Sequence, residues 1–315
     1  MLEVLSEYDD ESTLENEIAE LESLLTTARQ KLSTQQHKPS PARAPLDTSR
    51  HYLLLLSDSA LPLGSFAFSS GLESYLAHAR SRSRSPSSSS SSAAPPQKPS
   101  FASFLPLSLS SYAGTTLPFV LAAHRDPETL ADLDDVLDAS VICAVGRRAS
   151  VAQGRALLSI WEKSLAPSSS VPAGARVVLE AFSAALRRSS ASASASSRKA
   201  DDDDDDVRAL PPPVSAHLAP LFGAVARLLG LTLRQTAYVF LLSHAKALVS
   251  AAVRASMFGP YQAQKVLAGE ELQVLIANMV QREWDVRVED AGQSVPVMDL
   301  WIGRHEMLYS RIFNS

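Results

Sequence analysis

Residues Leu53 to Leu76 read LLLLSDSALPLGSFAFSSGLESYL, an apolar run that enters a turn and a second apolar run that leaves it. Leu53 to Leu56 is expected to be buried. Pro62 fixes φ and Gly64 permits φ > 0, so Leu61-Pro62-Leu63-Gly64 predicts a tight reversal in place of a continuing helix. Ser70-Gly71-Leu72-Glu73 fits a capping box, with a helix starting near Ser70. Between turn and cap lies Ser65-Phe66-Ala67-Phe68-Ser69, two aromatics among small residues. This is the pattern of a presented loop, although Phe66 can equally be a core aromatic closing its own turn.

Outward from this stretch the periodicity is helical. Ser12-Thr13-Leu14-Glu15 is a capping-box pattern followed by Leu14, Ile18, Leu21 and Leu25, an amphipathic helix to about Arg29 that is too short for a coiled coil. Gln35 to Ser49, with three prolines, reads as a linker. Phe101 to Ala123 is apolar but interrupted by Pro106 and Pro118, which predicts two short helices. Asp126-Pro127-Glu128 is a strong helix start, after which Leu130, Leu133, Leu137, Val141 and Ala144 share one face. Helices are further expected over Arg147–Glu162, Ala175–Leu186, Leu218–Leu229 (stopped by Gly230), Thr232 to about Met257, Tyr261–Gln281 and Met298–Phe313. In the helix after Thr232, Ser243, Lys246, Ser250 and Arg254 form a polar stripe for solvent or a partner subunit. The expected architecture is all-α, a single-domain helical bundle at 50–315, preceded by the helix and linker at 1–49.

Two stretches do not belong to the bundle. Residues 81–100 are Ser/Arg/Pro-rich and 189–213 carry Ala-Ser repeats, six aspartates and three prolines. Such compositions bury too little apolar area to offset ordering entropy, so both read as disordered inserts. The aspartate run defines no cage for a cation and reads as a self-repelling loop.

Composition excludes several classes. The chain of 315 residues is 45% hydrophobic with only 12 glycines and a net charge of −5, and it stays mildly acidic without the inserts. Nucleic acid is therefore not an expected partner. One cysteine, Cys143, rules out an intrachain disulfide or Cys-based zinc site; beside Ile142 and Ala144 it reads as a core hydrophobe. The N-terminus is acidic and unlike a secretory signal, and no stretch reads as about 20 consecutive apolar residues, so no membrane partner is expected and the chain reads as cytoplasmic. P-loop, nucleophile-elbow and zinc-helix motifs are missing, and the seven histidines show no metal-ligand spacing. His244 reads as a core or interface histidine. An enzyme with an unrecognised helical site and a generic scaffold remain as alternatives to the reading that follows.

Asp58-Ser59-Ala60-Leu61-Pro62-Leu63-Gly64-Ser65-Phe66, then Ser69 and Gly71-Leu72-Glu73, resembles the N-terminal signature of the UreF family of urease accessory proteins. Later blocks agree in order: Gln153-Gly154-Arg155-Ala156-Leu157-Leu158, Phe222 to Arg227, Leu248 to Arg254, Gly259-Pro260 with Gln264-Lys265, and His305 to Arg311. The resemblance implies a non-enzymatic, all-α protein that forms a homodimer, binds a UreD/UreH-type accessory protein and recruits a UreG-type GTPase to apo-urease. Nickel would be passing cargo, with no stably bound cofactor and no nickel ligand to name in this chain. It also implies partner-binding positions at Phe66 and Arg311. The loop with its helix start, the polar stripe and the terminal helix, on which Arg304 and Arg311 would share one face, add Ser65, Phe68, Glu73, Arg254, Arg304, His305, Tyr309 and Phe313 as partner-binding candidates. Bacterial members often carry Tyr where Phe66 stands, so stacking is retained here and a phenol hydrogen bond is not.

Overall fold

The computed structural model describes residues 18–31, 48–84, 99–199 and 214–314. Expectations for residues 1–17, the 35–47 linker, and the inserts at 85–98 and 200–213 lie outside the described residues. Met1–Thr48 and Ser49–Ser315 form two compact units. In the first, α1 covers 18–31 and exposes Ile18, Leu21, Leu24 and Leu25.

The second unit is helical throughout, with no strand among the described residues. Its elements are α2 (Thr48–Ser57), α3 (Leu72–Arg84), α4 (Phe101–Arg125), α5 (Leu130–Ser140), α6 (Ala144–Ile160), a π turn (Trp161–Leu165), the single turn α7 (Ala166–Ser168), α8 (Ala173–Lys199), α9 (Leu218–Leu228), α10 (Leu233–Arg254), α11 (Pro260–Ala268), α12 (Glu270–Glu283) and α13 (Val297–Arg304). Helices α3 and α8 run on to Arg84 and Lys199, so the boundaries at 81 and 189 cut into helix.

Helix α4 is the spine, with α9, α10 and α12 packed on it. It is one helix of 25 residues where the prolines predict two. Pro106 orphans the carbonyl of Ala102, which is exposed and can meet water. Pro118 orphans the carbonyl of Gly114, and the Gly292 N–H donates to that oxygen at 3.1 Å. A contact distant in sequence thus supplies the bond that the ring removes. Crossing α4, α9 comes so close that a Cβ on Gly223 would sit 2.2 Å from the Val120 carbonyl oxygen.

Local signals are obeyed elsewhere. The Asp126 side chain accepts from the Glu128 N–H at the start of a 3-10 turn (Pro127–Thr129) leading into α5. Gly230, at φ 81°, ends α9, with the Leu231 N–H on the Ala226 carbonyl and the Gly230 N–H on that of Arg227. Thr232 and Gln235 form the reciprocal capping box.

Other expectations are corrected. Extended Val141 to Cys143 separates α5 from α6, so Ala144 opens a new helix and Cys143 is its half-buried N-cap residue, outside the core, with Ile142 90% exposed. Gly269, in extended conformation, divides 261–281 into α11 and α12. Only Leu56 of the first leucine run is fully buried; Leu54 and Leu55 face out. Helices α4 and α10 are each long and apolar enough to cross a bilayer, against the sequence reading, yet 67% and 56% of those windows are buried inside the bundle. Their apolarity is that of core helices.

Candidate functional site: the presented loop and its clasp

The loop is built by backbone geometry that the sequence specifies. The Asp58 carboxylate accepts from the Ala60 N–H, and the Leu63 N–H donates to the Leu61 carbonyl at 2.7 Å, closing the reversal at Pro62. Gly64 then takes φ 72°, a left-handed conformation that glycine adopts without strain. A 3-10 turn, Ser65–Ala67, follows and carries Phe66 outward at 66% exposure. Of the two readings of this aromatic, the surface one holds.

The capping box at Ser70 does not form. Ser70 (φ 49°) and Gly71 (φ 86°) are left-handed, α3 starts at Leu72, and the Ser69 hydroxyl accepts from the Glu73 N–H at 3.4 Å. The Glu73 carboxylate is freed for a different task. It accepts from His305 Nε2 at 2.9 Å, from the Ile312 N–H at 2.7 Å and from the Phe313 N–H at 3.3 Å. Opposite a carboxylate, Nε2 must be the protonated ring nitrogen. Helix α3 thus holds the end of the chain from one side.

The end of the chain in turn holds the loop. The Asn314 N–H donates to the Ala67 carbonyl at 2.7 Å, and the Arg254 guanidinium donates to the Phe66 carbonyl. That guanidinium also lies 4.4 Å from the centroid of the buried Phe313 ring. Desolvation lowers the Arg254 pKa, though an arginine remains charged at neutral pH. From beneath, the Ser65 hydroxyl donates to Gln153 Oε1 at 2.8 Å. The loop is therefore tied to three elements: α6, α10 and the terminus.

This clasp overturns the expected terminal helix over 298–313. Helix α13 stops at Arg304, a 3-10 turn covers His305–Met307, and the remainder crosses back over the loop without helix. Arg304 and Arg311 therefore share no helical face, because the acceptors offered by Glu73 draw the backbone out of the helix. The polar stripe on α10 divides: Ser250 and Arg254 are exposed as expected, while Ser243 and Lys246 are partly buried, Lys246 donating to the Ser57 carbonyl at 2.5 Å; Arg254, though exposed, also reaches the loop. Of the sequence-predicted positions, Ser65, Phe66, Phe68, Glu73, Arg254, His305 and Phe313 come together. Arg304, Tyr309 and Arg311 lie on the surface nearby in sequence but outside the clasp.

Sequence reasoning missed Asn314 and the role of Gln153. The Gln153-Gly154-Arg155 block now has a physical reason: Gln153 braces Ser65, Arg155 Nε donates to the Ser215 carbonyl at 3.3 Å, and a Cβ on Gly154 would lie 2.1 Å from the Ala216 carbonyl oxygen. Also missed was the network anchoring that segment. Buried Asp134 accepts from the N–H groups of Ser215, Ala216 and His217, while Asp138 binds Arg147 through both oxygens and His217 Nε2 at 2.8 Å. Burial would raise the Asp138 pKa, but the bonds from Arg147, His217 and Ser215 outweigh it and hold it at about 2. The i, i+4 spacing of the two acids was the available signal.

Fold and site together define an all-helical protein that presents a braced aromatic loop. A model of the UreF family matches residues 97–270. The chain is 37% identical over 268 residues to a UreF-like urease accessory protein of Schizosaccharomyces pombe, covering 85% of this chain and 98% of that one. It is 31% identical to urease accessory protein F of Oryza sativa subsp. indica, covering 82% of each, and 29% identical to urease accessory protein UreF of Paenarthrobacter aurescens, covering 82% of this chain and 95% of that one. This chain belongs to the UreF family.

Proposed function

We propose that this chain is a non-catalytic adaptor of urease maturation, acting in the cytoplasm as a homodimer that binds a UreD/UreH-type accessory protein and recruits a UreG-type GTPase to apo-urease. Nickel is cargo of that assembly, and GTP hydrolysis belongs to the partner. One observation carries the reading: Phe66, in the stretch that resembles the family signature, is exposed on a loop whose backbone is fixed by Gly64, Arg254, Gln153 and Asn314. An aromatic held in this way meets a partner with little ordering entropy left to lose, which is what a docking anchor requires. The names of its relatives, urease accessory proteins in fungi, plants and bacteria, point the same way.

Size-exclusion chromatography of the purified chain with a UreD/UreH-type partner tests the first step, and addition of the UreG-type GTPase with GTP tests the second. Co-elution of all three is expected, with Phe66→Ala losing the GTPase. A chain that co-elutes with neither protein would refute the proposal.

A further inference from the structure

Beneath the loop lies a cavity of about 350 Å3, walled by α4, α10, the Val141–Cys143 link and the segment around Gly292. Its size falls within the range of small-molecule sites. Tyr112 and His244 stack face to face in its wall, with centroids 3.9 Å apart and 7° between planes, and Phe240 stacks on Tyr112 at 5.0 Å. The Ser108 hydroxyl fixes His244 Nε2 at 3.0 Å. Around this stack, the Tyr112 hydroxyl, His244 Nδ1 and the Ser111 and Ser243 hydroxyls have no hydrogen-bond partner among the described residues.

The lining is also uncharged, apart from Asp299, which is half-exposed. Burial raises the Tyr112 phenol and lowers the His244 imidazole to about 3, so both are neutral at pH 7. No Lys or Arg lines the space. An anion would lose its hydration without a counter-charge, whereas an uncharged molecule with a donor and an acceptor would satisfy the free groups.

We propose that this cavity is a binding site for an uncharged ring-shaped small molecule bearing a hydrogen-bonding group. Its ring would lie among the aromatic side chains and its polar group against the free hydroxyls and imidazole. The site is independent of the urease reading.

Benzamide, benzoate and benzamidine have nearly one shape and three charges, and titration of each into the full chain, followed by NMR or calorimetry, tests the proposal. Benzamide should saturate with a Kd of about 1 mM, a value within reach of a ligand of its size. Benzoate should bind at least about tenfold more weakly, for want of a cation. Ser243→Leu should narrow the space beside the stack, remove one free hydroxyl and weaken benzamide binding at least about tenfold. His244→Phe, which keeps the stack and removes the imidazole, should weaken benzamide while leaving toluene unchanged. Non-saturable benzamide signals, equal binding of benzoate, tighter binding of benzamidine through Asp299, or a benzamide affinity indifferent to His244→Phe would each overturn the proposal.

Discussion

Glu73→Ala removes the acceptor at the centre of the clasp. Three donors lose their partner: His305 Nε2, the Ile312 N–H and the Phe313 N–H. The Glu73 side chain is 12% exposed, and His305 is fully buried with its Nδ1 already unpartnered, so the ring would be left with no hydrogen bond at all. Breaking a buried charge-assisted pair from one side costs about 3–5 kcal/mol. The chain has a cheaper response, because residues 308–314 can leave the surface, return the two amide donors to water and uncover the side of His305 that faced Glu73. What then is lost is the burial of Phe313, about 2 kcal/mol, and the Asn314 bond to Ala67, about 1 kcal/mol, offset by regained chain entropy. The expected result is local: hydrogen-exchange protection of Ile312, Phe313 and Asn314 falls at least about 100-fold, equivalent to about 3 kcal/mol, while global stability in urea drops by less than about 2 kcal/mol. Glu73→Gln, which keeps one acceptor oxygen, should fall between. If the three amides in Glu73→Ala retain protection within a factor of about three of wild type, the clasp is not what holds the terminus.

Three other substitutions test neighbouring parts of the account. Gly64→Val meets no neighbouring atom within 4 Å but must adopt φ 72°, so it should cost about 1–2 kcal/mol in thermal unfolding through strain alone and displace the loop; no loss would mean that the positive φ is not required. Phe66→Ala, at an exposed position, should change stability by less than about 1 kcal/mol, whereas a loss of about 3–5 kcal/mol would make Phe66 a core residue. Asp138 has a folded pKa of about 2 against an unfolded value of 3.8, so its contribution is present above pH 4 and is lost as pH falls towards 2. Wild type should therefore lose roughly 2 kcal/mol across that window, and Asp138→Asn, already weaker at neutral pH, should show a flatter acid limb in urea titrations.

What could be read in the sequence is what is decided locally. The Thr232/Gln235 box, the Gly230 stop, the Asp126-Pro127 start and the reversal at Pro62-Gly64 each depend on residues within a turn or two, and each is found as expected. The errors share a different cause. Pro118 sits inside a helix because Gly292, far along the chain, supplies a donor; Glu73 abandons its cap because Ile312 and Phe313 need an acceptor; and Lys246 reaches the Ser57 carbonyl. A single sequence holds no register for such pairs. The signature and terminal blocks do meet, which brings seven of the ten candidate positions together. The contacts of Arg254 and Asn314 with the loop were not legible, because they join segments far apart in the chain.

Complementation of urease activity in cells lacking their own UreF tests the central claim most directly, with wild type compared with Phe66→Ala at matched protein levels. Wild type is expected to restore urease activity, and Phe66→Ala to restore at least about tenfold less while folding normally, as truncating an anchor worth about 1.4 kcal/mol or more would require. Failure of the wild-type chain, or full activity of Phe66→Ala, would contradict the account.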